Sequence, residues 1–125
     1  MLSKKIFLDT NFLIDTIKFK VELERIKEFF NEPTDFYILS SCFEELKKIA
    51  ESKGRAGNCA KIAVQLIKTK NINVLETRES PDKAFLNIAD KNTIIATNDS
   101  MLRKKLKERG IKTIYLRGRK KLEVG

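Results

Sequence analysis

Five short apolar runs punctuate the chain, each separated from the next by residues with helical periodicity. The runs are KIFL at 5–8, FYILS at 36–40, INVLE at 72–76, TIIAT at 93–97 and KTIYL at 112–116. They are apolar on both sides, as strands are when helices cover both faces of a sheet. Strands joined through helices predict parallel pairing and right-handed crossovers. The expected fold is therefore α/β, a single domain over 1–125 with a central parallel sheet of about five strands and a basic C-terminal segment at 117–125. A chain of 125 residues suits one domain and is large enough to bury a core without disulfides.

The intervening segments carry their own signals. Phe12, Leu13 and Ile17 predict a first helix that the Thr10 hydroxyl caps. A second fits 21–30, with Leu23, Ile26, Phe29 and Phe30 on one face, and NEPTD then reads as a turn. Ser40 or Ser41 is expected to cap a helix running to about Ser52, with Glu44 completing a capping box after Ser41. Residues 58–68 predict a helix with Ile62, Ala63, Leu66 and Ile67 inward. Ser80 and Pro81 suit the N-cap and N1 of the next helix. The last spans 99–109 with Met101 or Leu102 and Leu106 inward, and Gly110 ends it.

Composition narrows the chemistry. The chain has no His, which removes imidazole general bases and His/Cys zinc sites. Cys42 and Cys59 read as buried thiols. No Gly-rich phosphate loop follows any strand, which disfavours a nucleotide-binding enzyme or phosphatase. No apolar stretch is long enough to span a membrane and the N-terminus makes a poor signal peptide, so a cytoplasmic location is expected. Residues 101–121 hold ten of the 26 Lys/Arg and one of the 17 Asp/Glu, so this segment carries the whole formal excess of +9. Such asymmetry suits a polyanionic partner, although a solvated Lys-rich surface gives the same pattern.

The acids fall at successive strand-to-helix junctions. Asp9 follows the first strand, Glu44 and Glu45 open the helix after the second, Asp82 follows the third and Asp99 the fourth. Ligands of open α/β sheets bind beyond the C-terminal strand ends. Carboxylates that converge there resist shared ionisation, and a hard divalent cation, Mg2+ or Mn2+, resolves the conflict. Such an ion acidifies water, which supplies a nucleophile for phosphodiester hydrolysis in a chain without His. Each acid also has a purely structural explanation, because helix N-termini favour carboxylates as caps and as charge partners. Glu45 is the better site candidate of its pair, since Glu44 has the capping-box role. Asn11, Thr97 and Asn98 stand beside the strand ends and suit supporting hydrogen bonds. Asp15 is expected to point off the first helix into solvent, with a peripheral metal role as the alternative.

LDTNFLID at 8–15, SSCFEELKKIA at 40–50, PDKAFLNIA at 81–89 and IATNDSMLRKKLKERGIKTIYLRGRKKL at 95–122 together resemble PIN-domain ribonucleases. Within that family the chain is similar to the archaeal proteins related to the Fcf1 ribosomal-RNA processing nucleases. The resemblance spans essentially the whole chain, and DTN near the start combined with TND near the end is its most specific part. It implies a Rossmann-like three-layer α/β/α domain that gathers acids around one or two Mg2+ or Mn2+ ions. Carried over residue by residue, the catalytic and metal-ligating set is Asp9, Glu45, Asp82 and Asp99, supported by Asn11, Thr97 and Asn98. Many relatives have a further acid at the places of Pro81 or Ser100–Arg103, so one ion is expected to bind better than two here.

The resemblance implies an RNA endonuclease acting on single-stranded or structured RNA, with ribosomal RNA processing as the expected setting. Homodimers are frequent in the family, and a ribosome-assembly partner fits the same setting. Arg103, Lys104, Lys107, Arg117, Arg119, Lys120 and Lys121 are the expected phosphate contacts. Two alternatives stand beside this reading: an RNA-binding assembly component with little cleavage of its own, and a PIN-type toxin ribonuclease.

Overall fold

The computed structural model describes residues 3–125. β1 (Lys4–Leu8) leads into α1 (Thr10–Lys18), and a 3-10 helix (Leu23–Phe29) precedes β2 (Thr34–Leu39). Next come α2 (Ser40–Ala50), α3 (Arg55–Thr69) and β3 (Asn73–Leu75). The chain ends with α4 (Pro81–Ile88), β4 (Thr93–Ala96), α5 (Ser100–Glu108), β5 (Lys112–Arg117) and β6 (Lys121–Val124). The strands form one sheet in the order β3-β2-β1-β4-β5-β6, parallel throughout except that β6 runs antiparallel to β5.

The expected α/β class is what the chain forms, with six strands among the described residues rather than about five. The sixth lies in the basic segment, which is not a plain tail: Lys121–Val124 pairs back on β5, Leu116 opposite Leu122. Leu122 buries its side chain, while Lys121 and Val124 stay exposed as suits an edge strand. The span 21–30 winds into a 3-10 helix, burying Leu23 and Ile26 and leaving Phe29 exposed.

Strand order places the site. β1 is flanked by β2 on one side and β4 on the other, so the connections run outward in opposite directions from the β1–β4 pair. At such a switch point the helices following the two strands diverge and leave a crevice at the C-terminal strand ends. The central strands are fully covered: Ile6, Phe7 and Leu8 of β1 and all four residues of β4 are buried. Together with Phe12, Leu13, Ile38, Leu39, Leu46, Phe85, Leu102, Leu106 and Ile114 the apolar residues of these strands form one core. Burying each such large side chain is worth about 1.5–3 kcal/mol, and this continuous apolar layer fixes the strand ends on which the acids stand.

The helices bury the stripes that their periodicity predicts, except at Ile62, whereas the expected serine caps do not form. α3 starts at Arg55 and turns Ala60, Ala63 and Ile67 inward, with Leu66 half-buried, while Ile62 is 54% exposed. On α5 Leu102 is buried and Met101 is 71% exposed. Neither Ser40 nor Ser41 caps α2, whose N-cap is Leu39. The Ser40 hydroxyl instead accepts from Thr77 N–H (2.9 Å) and donates to the Thr77 carbonyl (3.3 Å), which ties the loop after β3 to the start of α2. The buried Ser41 hydroxyl finds no partner among the described residues, and Glu44 pairs with Lys47. Ser80 is the N-cap residue of α4, but its hydroxyl makes no capping bond. Gly110 closes α5 at φ +73°, in the left-handed region that its missing Cβ permits.

Candidate active site

Asp9 is the anchor of the crevice. Its N–H donates to the Ala96 carbonyl (2.9 Å), extending the β1–β4 ladder one residue past Leu8, and its own carbonyl then accepts from Leu13 N–H (3.1 Å) as α1 begins. The N-cap of α1 is therefore Asp9 and not Thr10, whose hydroxyl approaches the Cys42 carbonyl at 3.5 Å. One Asp9 oxygen, Oδ1, accepts from Thr10 N–H (2.9 Å) and faces the Cys42 thiol at 3.8 Å. The other, Oδ2, accepts from the Thr97 hydroxyl (2.7 Å) and from Asn11 Nδ2 (3.3 Å).

Burial pushes the Asp9 carboxyl above its ordinary pKa of 3.8, opposed by the hydrogen bonds from Thr97 and Thr10 and reinforced by the negative charges of Glu45 and Asp82. Only 8% of Asp9 is exposed, which makes desolvation the leading cause. The Cys42 thiol beside it is pushed up to about 12, first by burial and then by the Asp9 charge, so it stays a neutral thiol.

The TND motif completes the crevice from β4. The Thr97 hydroxyl donates to Asp9 while accepting from Asp99 N–H (3.2 Å), so a single buried oxygen joins the two aspartates. Asp99 is the N-cap of α5: its Oδ1 accepts from Met101 N–H (2.9 Å) and Leu102 N–H (3.2 Å). Asn98 knits three elements together. Its N–H donates to Asn11 Oδ1 (3.1 Å), its Oδ1 accepts from Leu116 N–H on β5 (2.9 Å) and its Nδ2 donates to Asp15 Oδ2 (2.8 Å). Asp15 thus turns toward the β4–α5 junction rather than away into solvent, because that amide gives it a partner. Neither the Asp15 contact nor the Cys42 contact is legible in the sequence, since both depend on how α1 and α2 dock.

The four predicted acids share the edge, but they do not form a closed cage. Glu45 and Asp82 are near enough for their charges to act on Asp9, and Asp99 joins through Thr97. Glu45 and Asp82 are exposed, and among the described residues no three His, Cys, Asp or Glu side chains stand close enough to hold one ion. Solvated carboxylates of like charge spread apart unless a cation draws them together. The donor chemistry does fit a hard divalent cation. Every available group is a carboxylate oxygen, and the one deeply placed carboxylate carries an electrostatic penalty that a cation would remove.

The basic residues divide between two elements. Arg103, Lys104 and Lys107 lie on α5, which starts at the acidic edge; Lys107 is about 12 Å along the helix axis from Asp99. Arg117 ends β5, Arg119 and Lys120 lie in the turn, and Lys121 begins β6. The Arg103 guanidinium lies over the Tyr115 ring at 3.8 Å, and Tyr115 donates to Glu123 (3.0 Å), so this tyrosine is engaged within the fold.

Comparison with known proteins agrees with this fold. Residues 6–119 match the family model described as "PIN like domain". Ribonuclease VapC4 of Methanocaldococcus jannaschii is 37% identical over 126 aligned residues, covering 96% of this chain and 95% of that protein. Ribonuclease VapC9 of Archaeoglobus fulgidus is 34% identical over 91 residues, covering 71% of this chain and 66% of that protein. Among solved structures, the PIN domain endonuclease Utp24 superposes with a TM-score of 0.75 at 21% identity, over 96% of this chain and 90% of that one. VapBC-1 from nontypeable Haemophilus influenzae gives a TM-score of 0.53 at 16% identity, over 83% and 93%. With a family model spanning nearly the whole sequence and a full-length relative at this identity, the chain belongs to the PIN-like domain family.

Proposed function

We propose that this protein is a divalent-metal-dependent RNA endonuclease whose catalytic residues are Asp9, Glu45, Asp82 and Asp99. The observation that carries the reading is the Asp9 carboxylate, buried at the switch point of the sheet and pressed by two neighbouring acids that a cation would neutralise. The names of the relatives, both ribonucleases, support RNA as the substrate.

Asp9, Asp82 and Asp99 would hold Mg2+ or Mn2+, and Glu45 would either join them or hold the attacking water. When bound, the ion would polarise the scissile phosphate and acidify water. The protein's own part is positioning. Thr97 and Thr10 orient the two Asp9 oxygens, and Asn11 and Asn98 fix the DTN and TND segments against each other. Asp99 uses one oxygen as a cap and has its other oxygen to offer. Glu45 and Asp82, exposed at the rim, can close on the ion by side-chain rotation. Arg103, Lys104, Lys107, Arg117, Arg119, Lys120 and Lys121 would supply phosphate contacts, which give affinity and salt dependence rather than sequence choice.

Ribosomal RNA processing is the setting that the basic C-terminal segment favours. The toxin-ribonuclease reading rests on a different observation, the near full-length similarity to a protein named VapC4. The purified protein is expected to cut unlabelled ribosomal RNA and single-stranded oligonucleotides when Mn2+ or Mg2+ is added, and to stop when the metal is chelated. Cleavage that persists unchanged in excess chelator would overturn the metal-dependent reading.

A further inference from the structure

The hairpin that the sequence hides has an overhang. β4 ends at Ala96, which sits opposite Ile114 of β5. Tyr115, Leu116 and Arg117 therefore continue about 10 Å beyond the edge where the acids stand. The turn at the top holds Gly118 at φ +57° and Arg119 at φ +78°. A left-handed arginine is an unusual choice, because Gly, Asn or Asp fills such a position at less cost. Turn formation does not explain this arginine.

Its side chain reaches back across to α1. The Arg119 guanidinium lies 5.6 Å from the Phe19 ring, and Lys18 Nζ lies 5.4 Å from the same ring. Arg55, at the start of α3, donates to the Lys18 carbonyl (3.3 Å). Among the described residues Lys18, Arg55 and Arg119 form no ion pair, whereas Glu123 engages Arg117 and Lys121. Cations gathered without an ion pair favour the entry of an anion, and the aromatic ring holds two of them in place beforehand, which lowers the ordering cost of binding. Phe19 lies ten residues from Asp9, about 15 Å along α1.

We propose that Arg119, Lys18 and Arg55, arranged around Phe19, form a second phosphate-binding platform that grips a single-stranded RNA a few nucleotides from the bond to be cut. The proposal rests on the RNA reading of the acidic edge and adds the place where the strand continues. An arginine fork and nearby ammonium groups suit successive phosphates of a flexible strand.

The test uses full-length protein carrying Asp9→Asn, so that RNA is bound but not consumed. Fluorescence anisotropy compares labelled single strands of roughly four and roughly sixteen nucleotides, the span of single-strand site sizes. Arg119→Glu is expected to weaken binding of the longer strand about tenfold, the loss of one charge-assisted contact. It should also lower the salt slope by about 0.7, and the shorter strand should lose much less. Arg119→Asn should weaken the longer strand too while leaving Tm equal or higher, because Asn accepts the left-handed backbone. A turn-forming role alone predicts the reverse, a lower Tm with unchanged affinity. Unchanged affinity and slope in Arg119→Glu would overturn the platform, as would binding to this surface by polyglutamate in preference to RNA. Metal-dependent cleavage by the unmodified protein is scored separately, so a protein that binds through Arg119 but never cuts would refute the nuclease reading and keep the platform.

Discussion

The burial of Asp9 can be read out as a pH dependence. Replacing it by Asn keeps a carbonyl oxygen for Thr10 N–H, and the Thr97 hydroxyl can turn to accept from the new amide. The contact with Asn11 Nδ2 is lost, because Asn11 is held by its bond from Asn98 and would present donor to donor. That loss, about 1 kcal/mol, does not depend on pH. The carboxylate's penalty does. Below the ordinary carboxylate range Asp9 is protonated in both folded and unfolded chains, and its burial carries no ionic cost. Above its raised pKa it is ionised in both, and the folded state bears the full cost. Counting this group alone, stability of the metal-free protein falls as pH rises from 3.8 through the raised value. Each tenfold change in the ionisation constant is worth ~1.4 kcal/mol, or roughly 5 °C in Tm for a domain this size. Urea denaturation followed by circular dichroism, in chelator and across this pH range, should show the D9N stability gaining on the parent as pH rises. A difference that stays constant, or one that moves toward the parent at higher pH, would refute the claim that the Asp9 charge is held at a cost.

Other positions give sharp expectations. Asn98→Ala removes bonds to Asp15 and Leu116 N–H and should cost about 1–3 kcal/mol together with most of the cleavage rate, measured by denaturation and by a nuclease assay. Gly57→Ala would place a Cβ 2.0 Å from the Ser52 carbonyl oxygen, a backbone collision that must shift the start of α3, so a Tm drop of several degrees is expected by calorimetry. Gly110→Ala meets open space but keeps φ +73°, so its cost is the backbone strain alone, about 1 kcal/mol.

Much of the fold was legible because its signals are local. Apolar runs with helices between them marked β1 to β5, and the acids marked the edge where those strands end. β6 was not legible, because KLEV is short and half charged, with Leu122 its one buried residue. Gly118 between apolar alternations was the available hint of a hairpin. The 3-10 helix read as an ordinary helix because Leu23 and Ile26 bury with either winding. At the site, the sequence placed Asp9 and Asp99 beside strands but could not assign their hydrogen bonds. Each is both a cap and a site candidate; capping occupies Asp99 Oδ1 and leaves Oδ2 without a hydrogen bond among the described residues. The expected gathering of four acids is only partly built into the chain. Asp9 is held by hydrogen bonds to both oxygens, whereas Glu45, on the second turn of α2, and Asp82, on the first turn of α4, are exposed and make no side-chain hydrogen bond among the described residues.

The central claim is that these carboxylates do chemistry beyond any capping of helices, and single-turnover cleavage of an end-labelled single-stranded RNA in Mn2+ tests it directly. Loss of a group that merely supports a metal ligand costs about 10–100-fold, so Asp9→Asn and Asp82→Asn should each lower the rate by about 100-fold or more while the proteins stay folded. Variants that are folded and cut as fast as the parent would contradict the account.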